Sequence, residues 1–381
     1  MHFNIRIFQN IDDPFLKSEW ERLEQAADVF PQSTYHWCAT WWKHLAGHRK
    51  LHVVMVLGEE GKALGIAPLC IERHLGVSVL RSFPVHFGDF YTFILENGAH
   101  EKPVIEAIIT YIRSNQQWRW ARLEQVPENS VLARVFAEHA FLAKHMTACV
   151  IADFSGLDWD GYLAKLKKNF RAEIRRRMKK IASDHDAALR ATNQWADYEK
   201  KFTEMVSIYR ARWQDDRSPA KSDQELACWQ EAIKEQFNKG KIVYYQLLFD
   251  GKPAAYRLGF VHQGVYYAWH TSFNPAFKRY YPGIMILAYM IRHFMATGIH
   301  TINFMAGDYN WKYDWSWDKR KTDNYMFTSP SRGIASTILN AYHHKIRDKI
   351  KNYYHQAMEY KALRTVSRNA ILVWRKISNH S

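Results

Sequence analysis

The chain has 381 residues, 47% hydrophobic and 15% aromatic, enough for two domains that each bury a core and too apolar for a disordered chain. Its net charge of +15 is uneven: residues 165–180 hold nine Lys/Arg against Glu173, residues 331–381 hold ten against Asp348 and Glu359, and the remainder is close to neutral. No apolar stretch reaches the roughly 18 residues of a membrane span, the start Met1-His-Phe-Asn-Ile-Arg lacks a signal-peptide pattern, and four scattered cysteines without a CxxC pair point to buried thiols in a reducing cytoplasm.

Taken in order, the first half reads as a strand (3–8), a helix (14–27) and a Trp-rich helix (35–46). A meander follows (51–57, 63–72, 77–83), turning at Gly58–Gly61 and Gly76. After a segment around Asp89 come a helix (103–114) and strands near 119–125 and 147–154. A basic helix is predicted over 159–183, where Leu163, Leu166, Phe170, Ile174, Met178 and Ile181 recur at three- and four-residue steps. One face packs and the other is cationic.

The second half repeats the plan. Helices at 197–215 and 224–239 precede strands at 241–249, 252–261 and 265–273, then a helix (283–297) and a strand (299–305). At an offset of 190, Val53, Leu57, Gly61 and Lys62 correspond to Val243, Leu247, Gly251 and Lys252, so the order of elements and these identities together indicate duplication. The fold class expected is α/β: two tandem units of mixed, largely antiparallel sheet flanked by helices, with a basic linking helix and C-terminal helices. The boundaries expected are 1–157, 158–330 and a basic helical tail, 331–381.

Two segments carry the candidate chemistry. The strand through Tyr266-Tyr-Ala-Trp-His-Thr-Ser-Phe273 runs by way of Tyr281-Pro-Gly283 into an apolar helix, and the unpaired amides and dipole of a helix start attract phosphate. Downstream, Gly307-Asp-Tyr-Asn-Trp-Lys312 is a polar insert after an apolar strand. Read alone, both also suit an ordinary strand–helix–strand crossover.

With Gly65-Ile-Ala-Pro-Leu69 and Lys168-Asn-Phe-Arg-Ala-Glu-Ile-Arg-Arg176, these motifs and their order resemble the GNAT acyltransferase superfamily. The similarity is to its Fem-like branch and, within that, to the CelD-like acetyltransferases found with envelope polysaccharide genes. It spans roughly residues 1–330. The resemblance implies two GNAT-like units, the first degenerate and the second catalytic, with acetyl-CoA or a longer acyl-CoA as co-substrate and no metal. It implies that strand 265–273 pairs with the pantetheine and that the amides of Gly283, Ile284 and Met285 meet the pyrophosphate. Arg279 and Lys278 then add charge, and Tyr281-Pro-Gly283 stands where a glycine-rich loop is usual.

Lys312 matches a lysine that the branch sets against the tetrahedral intermediate, with Asp308 to orient it or bind the acceptor. An attacking amine needs a base. His270 is one candidate because imidazole titrates in the useful range. The cluster His86 and Asp89, in an aromatic segment facing the presumed cleft, supplies the other. Each also reads as structural: Asp308–Lys312 as a surface pair, His270 as a core histidine, His86 and Asp89 as a packed loop.

The expected activity is N- or O-acyl transfer to an envelope glycan or lipid precursor, a long-chain amine included. Alternatives are an aminoacyl-tRNA-dependent ligase, with 165–180 gripping RNA phosphates, and an inactive fold that binds nucleic acid or membrane. The tail, with Ile338, Tyr342, Ile346, Ile350, Leu372, Trp374 and Ile377 among cations, fits either a helix on the anionic inner face of the cytoplasmic membrane or a hairpin packed on the body.

Overall fold

The computed structural model describes residues 3–330 apart from 28, 75, 99, 140 and 214–221; the tail expected to meet membrane lies outside the described residues. The first half runs β1 (Asn4–Phe8), α1 (Pro14–Ala26), α2 (Tyr35–Leu45), β2 (Lys50–Leu51), β3 (Val53–Leu57), β4 (Ala63–Ala67), β5 (Leu69–His74), β6 (Val77–Ser82), β7 (Ile94–Leu95), α3 (Glu101–Ser114), β8 (Trp120–Pro127), α4 (Val131–Glu138) and β9 (Leu142–Asp153). Two linking helices follow, α5 (Trp159–Lys165) and α6 (Lys168–Asp184). The second half runs β10 (Ala187–Thr192), α7 (Trp195–Trp213), α8 (Asp223–Asn238), β11 (Ile242–Phe249), β12 (Lys252–His262), β13 (Val265–Phe273), α9 (Pro282–Thr297), β14 (Thr301–Ala306), α10 (Asn310–Trp315) and β15 (Lys321–Pro330).

The repeat is therefore fuller than periodicity indicates, each half ending in strand, short helix and long strand. In both halves the turn after the first long strand is closed by a left-handed glycine, Gly61 at φ 74° and Gly251 at φ 76°. The basic helix expected over 159–183 is two helices. Asp158 caps α5 through the Gly161 amide, and Leu166 and Lys167 leave helical geometry before α6 begins.

Eleven strands form one sheet in the order β10-β11-β12-β13-β14-β9-β15-β8-β6-β5-β2, and β1-β3-β4-β7 form a second. The terminal strands are exchanged. β9, which closes the first unit, pairs with β14 of the second, while β15 pairs with β8 of the first. β9 and β15 also pair with each other along their length, from Lys321↔Val150 to Thr328↔Leu142. Burying these strands satisfies their backbone groups across the junction rather than within either unit.

Within each unit one strand pair is parallel and brief: β6 with β8 over Val79–Arg81, and β13 with β14 over Val265–Tyr267. Beyond those residues the strands part. α9, apolar almost all round, lies on one face of the second unit's sheet, with Met285, Leu287, Ala288, Met290, Ile291 and Phe294 buried. α7 and α8 cover the other face. There the aromatic rings of both units interleave, Phe30 against Tyr267 at 4.8 Å and Trp37 against Trp269 at 5.2 Å.

The parting of β13 depends on Gly259, where the β12–β13 register shifts between Leu258 and Phe260. A Cβ there would stand 2.4 Å from both the Tyr267 carbonyl oxygen and the Tyr266 ring, and Tyr266 is fully buried. Gly259→Ala is expected to destabilise the chain by about 1–3 kcal/mol in urea unfolding.

Candidate active site

Where β13 and β14 part, a cavity of about 1070 Å³ opens under the start of α9. Its walls come from β12, β13, the turn into α9, the end of β14 and α10. Asp89 of the first unit also lines it, as do Arg212 and Trp213 at the end of α7. Among the described residues lining it, Lys312, Arg257, Arg212, Lys278 and Arg279 are basic and Asp89 alone is acidic. Such a surface suits an anionic ligand.

The mouth sits at the helix start anticipated from Tyr281-Pro-Gly283. Tyr281 takes the left-handed conformation at φ 53° and is 51% exposed, its ring covered by the Arg177 guanidinium of α6 at 3.4 Å. Pro282 has no N–H. The Ile284 and Met285 amides both donate to the Tyr281 carbonyl at 3.0 Å, so among the described residues only the Gly283 amide is left unpaired at this end. The expectation that three amides meet a phosphate is thus corrected to one, because the tight first turn closes on its own cap. Arg279, Tyr281, Gly283 and Ile284 line the cavity. Met285 does not: it is wholly buried in the core beneath.

Lys312 is 4% exposed and donates to three backbone carbonyls, those of Phe304 at 2.9 Å, Met305 at 3.0 Å and Ala306 at 3.0 Å. These residues form the irregular end of β14, where Met305 is held at φ 54°, a strained conformation for a non-glycine residue. All three ammonium N–H bonds are used on this bend. None is left for a substrate oxygen in this conformation, unlike the direct oxyanion contact implied by resemblance. Burial lowers the Lys312 pKa to about 8, against the raising effect of the nearby Cys149 and Asp89.

Asp89 faces this lysine. Its backbone is fixed from two directions: its amide donates to Gln32 Oε1 at 2.9 Å, and its carbonyl accepts from Asn324 Nδ2 of β15 at 2.6 Å. Burial pushes its carboxyl up to about 6, while the Lys312 charge and the Ala306 amide pull the other way. A carboxyl so tuned can accept a proton near neutral pH.

The other sequence-derived candidates are not brought to the cavity. His270 lies among aromatic rings, with Trp229 at 4.3 Å and Tyr209 at 5.1 Å, and its Nδ1 is 3.3 Å from the Tyr256 hydroxyl. His86 is exposed with φ 58°, at the start of the loop that carries Asp89. Asp308 is exposed and accepts from the Tyr313 hydroxyl at 2.7 Å. All four cysteines are buried and outside any disulfide, and burial raises Cys70 and Cys149 to about 12, well away from a nucleophilic thiolate. Among the described residues no group of His, Cys, Asp or Glu is placed to hold a metal ion.

Sequence reasoning missed Arg257, Trp213, Gln32 and Asn324. Arg257 had a legible signal, a lone charge inside the apolar run Ala254–Phe260. The others are brought in only by folding.

The chain is thus an α/β unit with a cavity where two strands part beneath a crossover helix. Residues 168–313 match the family model described as acetyltransferase (GNAT) domain, and the chain carries a GNAT acetyltransferase domain in its second half. The tandem arrangement is also found in solved structures. A DUF2156 C-terminal domain from Agrobacterium fabrum, assigned to a lysylphosphatidylglycerol synthetase, is similar with TM-score 0.54 at 12% identity over 85% of this chain and 96% of that one. L-PGS from Bacillus licheniformis gives 0.53 at 10% identity, covering 86% and 95%. FemX gives 0.50 at 9% identity, covering 85% and 97%. At such identities the likeness is one of fold. No curated protein matches the sequence.

Two expectations follow. An unfolded Asp titrates near 4 and folded Asp89 at about 6. Between those values the folded state holds a proton that the unfolded state has released, so stability falls as pH rises from 4 to 6. Asp89→Asn removes that loss and should be more stable above pH 6 by on the order of 2–3 kcal/mol, with the gap closing near pH 4 in denaturant melts. Lys312→Met leaves three carbonyls at the bend without their donor and should cost about 1–3 kcal/mol by the same assay.

Proposed function

We propose that the protein transfers an acyl group from a CoA thioester to an amine or hydroxyl of an envelope glycan or lipid precursor. The observation that carries this is the placement of Asp89. A carboxyl with its pKa up at about 6 is supplied by the first unit to the cavity where the second unit's strands part. The thioester would lie along β13 with its phosphates outside, near the Gly283 amide, Lys278 and Arg279. Its carbonyl then reaches the bend held by Lys312.

In this reading the acceptor's amine or hydroxyl attacks the thioester carbon and forms the new C–N or C–O bond. Asp89 takes the proton that the nucleophile loses, the C–S bond breaks, and the departing CoA thiolate is protonated. Lys312 acts through geometry and charge: it holds the Phe304–Ala306 carbonyls and keeps Asp89 ionised near neutral pH. Pinning the Asp89 backbone to Gln32 and Asn324 fixes the base relative to the bend, the positional requirement of a general base.

A second reading, an aminoacyl-tRNA donor, is favoured by α6. Its Lys168, Arg175, Arg176, Lys179 and Lys180 are exposed beside the mouth, and Arg177 touches the rim at Tyr281. Fold relatives include FemX and a domain assigned to a lysylphosphatidylglycerol synthetase. The lean helix start, with one unpaired amide, leans the same way. CoA is preferred because Lys278, Arg279 and Arg212 gather at one opening of limited size rather than along an extended track.

Incubating the full chain with acetyl-CoA and longer acyl-CoAs, with mass spectrometry for retained thioester and released CoA, tests the reading. Binding of charged tRNA without any CoA thioester would overturn it in favour of the second. Under the CoA reading, Asp89→Asn lowers kcat by roughly 10²–10⁴ and abolishes an acid limb near pH 6 in kcat/KM. Lys312→Met moves that limb to higher pH. The Lys278→Ala/Arg279→Ala pair weakens CoA binding by about tenfold at low ionic strength, less at high salt.

A further inference from the structure

Arg257 brings a charge into the interior with no counter-charge to meet it among the described residues. The residue is 3% exposed; among the described residues its one hydrogen bond runs from Nη2 to the Gly283 carbonyl at 3.2 Å, and its Nε has no partner. Burial lowers its pKa to about 10, which still leaves it charged at neutral pH. Asp89, the acidic residue lining the same cavity, exerts its field on Lys312. A desolvated guanidinium without an anion is unfavourable, and proteins retain such groups where a ligand completes them. Two more cavity-lining groups, Trp213 Nε1 and Ser272 Oγ, are likewise buried without partners among the described residues.

Register places Arg257 on the donor side. It pairs across the sheet with Tyr245, whose ring packs on His293 and Phe294 of α9 at 5.7 and 5.5 Å. Ser272 pairs with Tyr256, whose ring lies against Tyr244 and His270 on the opposite face. Arg257 therefore shares its face with the α9 mouth, and its guanidinium stands 5.6 Å from the Trp311 ring. A neutral carbonyl would leave this cation uncompensated. A phosphate is better served at the exposed rim by Lys278 and Arg279. The unpaired Nε–H beside a further Nη N–H offers the parallel pair of donors that two oxygens of a carboxylate accept.

We propose that Arg257 receives a carboxylate on the ligand of this cavity, and that the donor is a dicarboxylic acyl thioester rather than a plain alkanoyl one. This deepens the acyl-transfer reading and rests on it. The same carboxylate chemistry could instead reach Arg257 from an amino-acid-like acceptor, and the test separates the two sources.

Calorimetric titration of the full chain with succinyl-CoA, butyryl-CoA and CoA itself provides the donor arm. Succinyl-CoA is expected to bind at least tenfold more tightly than butyryl-CoA, a ratio that Arg257→Met brings close to one and Arg257→Lys partly restores. Arg257→Met should melt at or above the wild-type temperature, since it removes an uncompensated charge, so lost selectivity is not lost folding. The acceptor arm compares glycine with glycine ethyl ester in CoA release from acetyl-CoA. A preference for glycine that Arg257→Met abolishes, with succinyl- and butyryl-CoA bound alike, would move the carboxylate to the acceptor and overturn the donor assignment. No carboxylate preference in either arm, with CoA thioesters still bound, would overturn the role of Arg257 alone. Failure of every CoA thioester to bind would remove the acyl-CoA reading and this inference with it.

Discussion

The exchange of terminal strands governs the rest of the molecule. Because β9 lies against β14 and β15 against β8, neither unit can satisfy its own sheet, and the two are locked at fixed spacing. Asn324, on the exchanged β15, holds the Asp89 carbonyl and also donates to Gln125 Oε1. The acid of the first unit is thereby set against the bend of the second. Loop-borne residues are ordinarily imprecise; here the loop is tied to a buried strand of the opposite half.

Electrostatics at this junction follow from burial. Lys312, Asp89 and Arg257 have each been moved from their ordinary titration range by removal from water, the lysine and arginine downward and the carboxyl upward. The lysine and the carboxyl moderate each other's shift. Arg257 has no such companion among the described residues. Each such buried charge costs stability that an apolar side chain of similar size would not.

Much of this was legible in the sequence. The meanders, the glycine turns and the duplicated order follow from period-two patterns and left-handed positions, which are local. The mouth was legible because Tyr281-Pro-Gly283 has few conformations open to it. What was not legible depends on partners remote in the chain. β10 (Ala187–Thr192) is short, at the sheet edge and half alanine, so it shows no apolar–polar alternation, and α4 and α10 are too short for periodicity to declare them. β15, Lys321–Pro330, is polar at its start and became a central strand only through exchange. His270 looked catalytic because it sits on the right strand, yet beside the β12–β13 register shift it turns, with the adjacent Trp269, onto Trp229 in the aromatic layer under α7 and α8. The helix-start amides were over-counted because a sequence does not reveal that Tyr281 would close the first turn upon itself.

The first unit keeps a trace of the same architecture. Gln125 in β8 is held at φ 58°, the counterpart of Met305 in β14. Tyr91 lies beside it, buried, its amide donating to the Gln125 carbonyl at 2.9 Å and its hydroxyl to the Pro68 carbonyl at 3.1 Å. Where the second unit passes through the short turn Pro275–Tyr280 into a long helix, the first has a loop at residues 83–93 whose Tyr91 packs on β8 and whose Asp89 reaches across to its twin. The two copies differ in what they hold: the second has the cavity, and the loop of the first lends it a carboxyl.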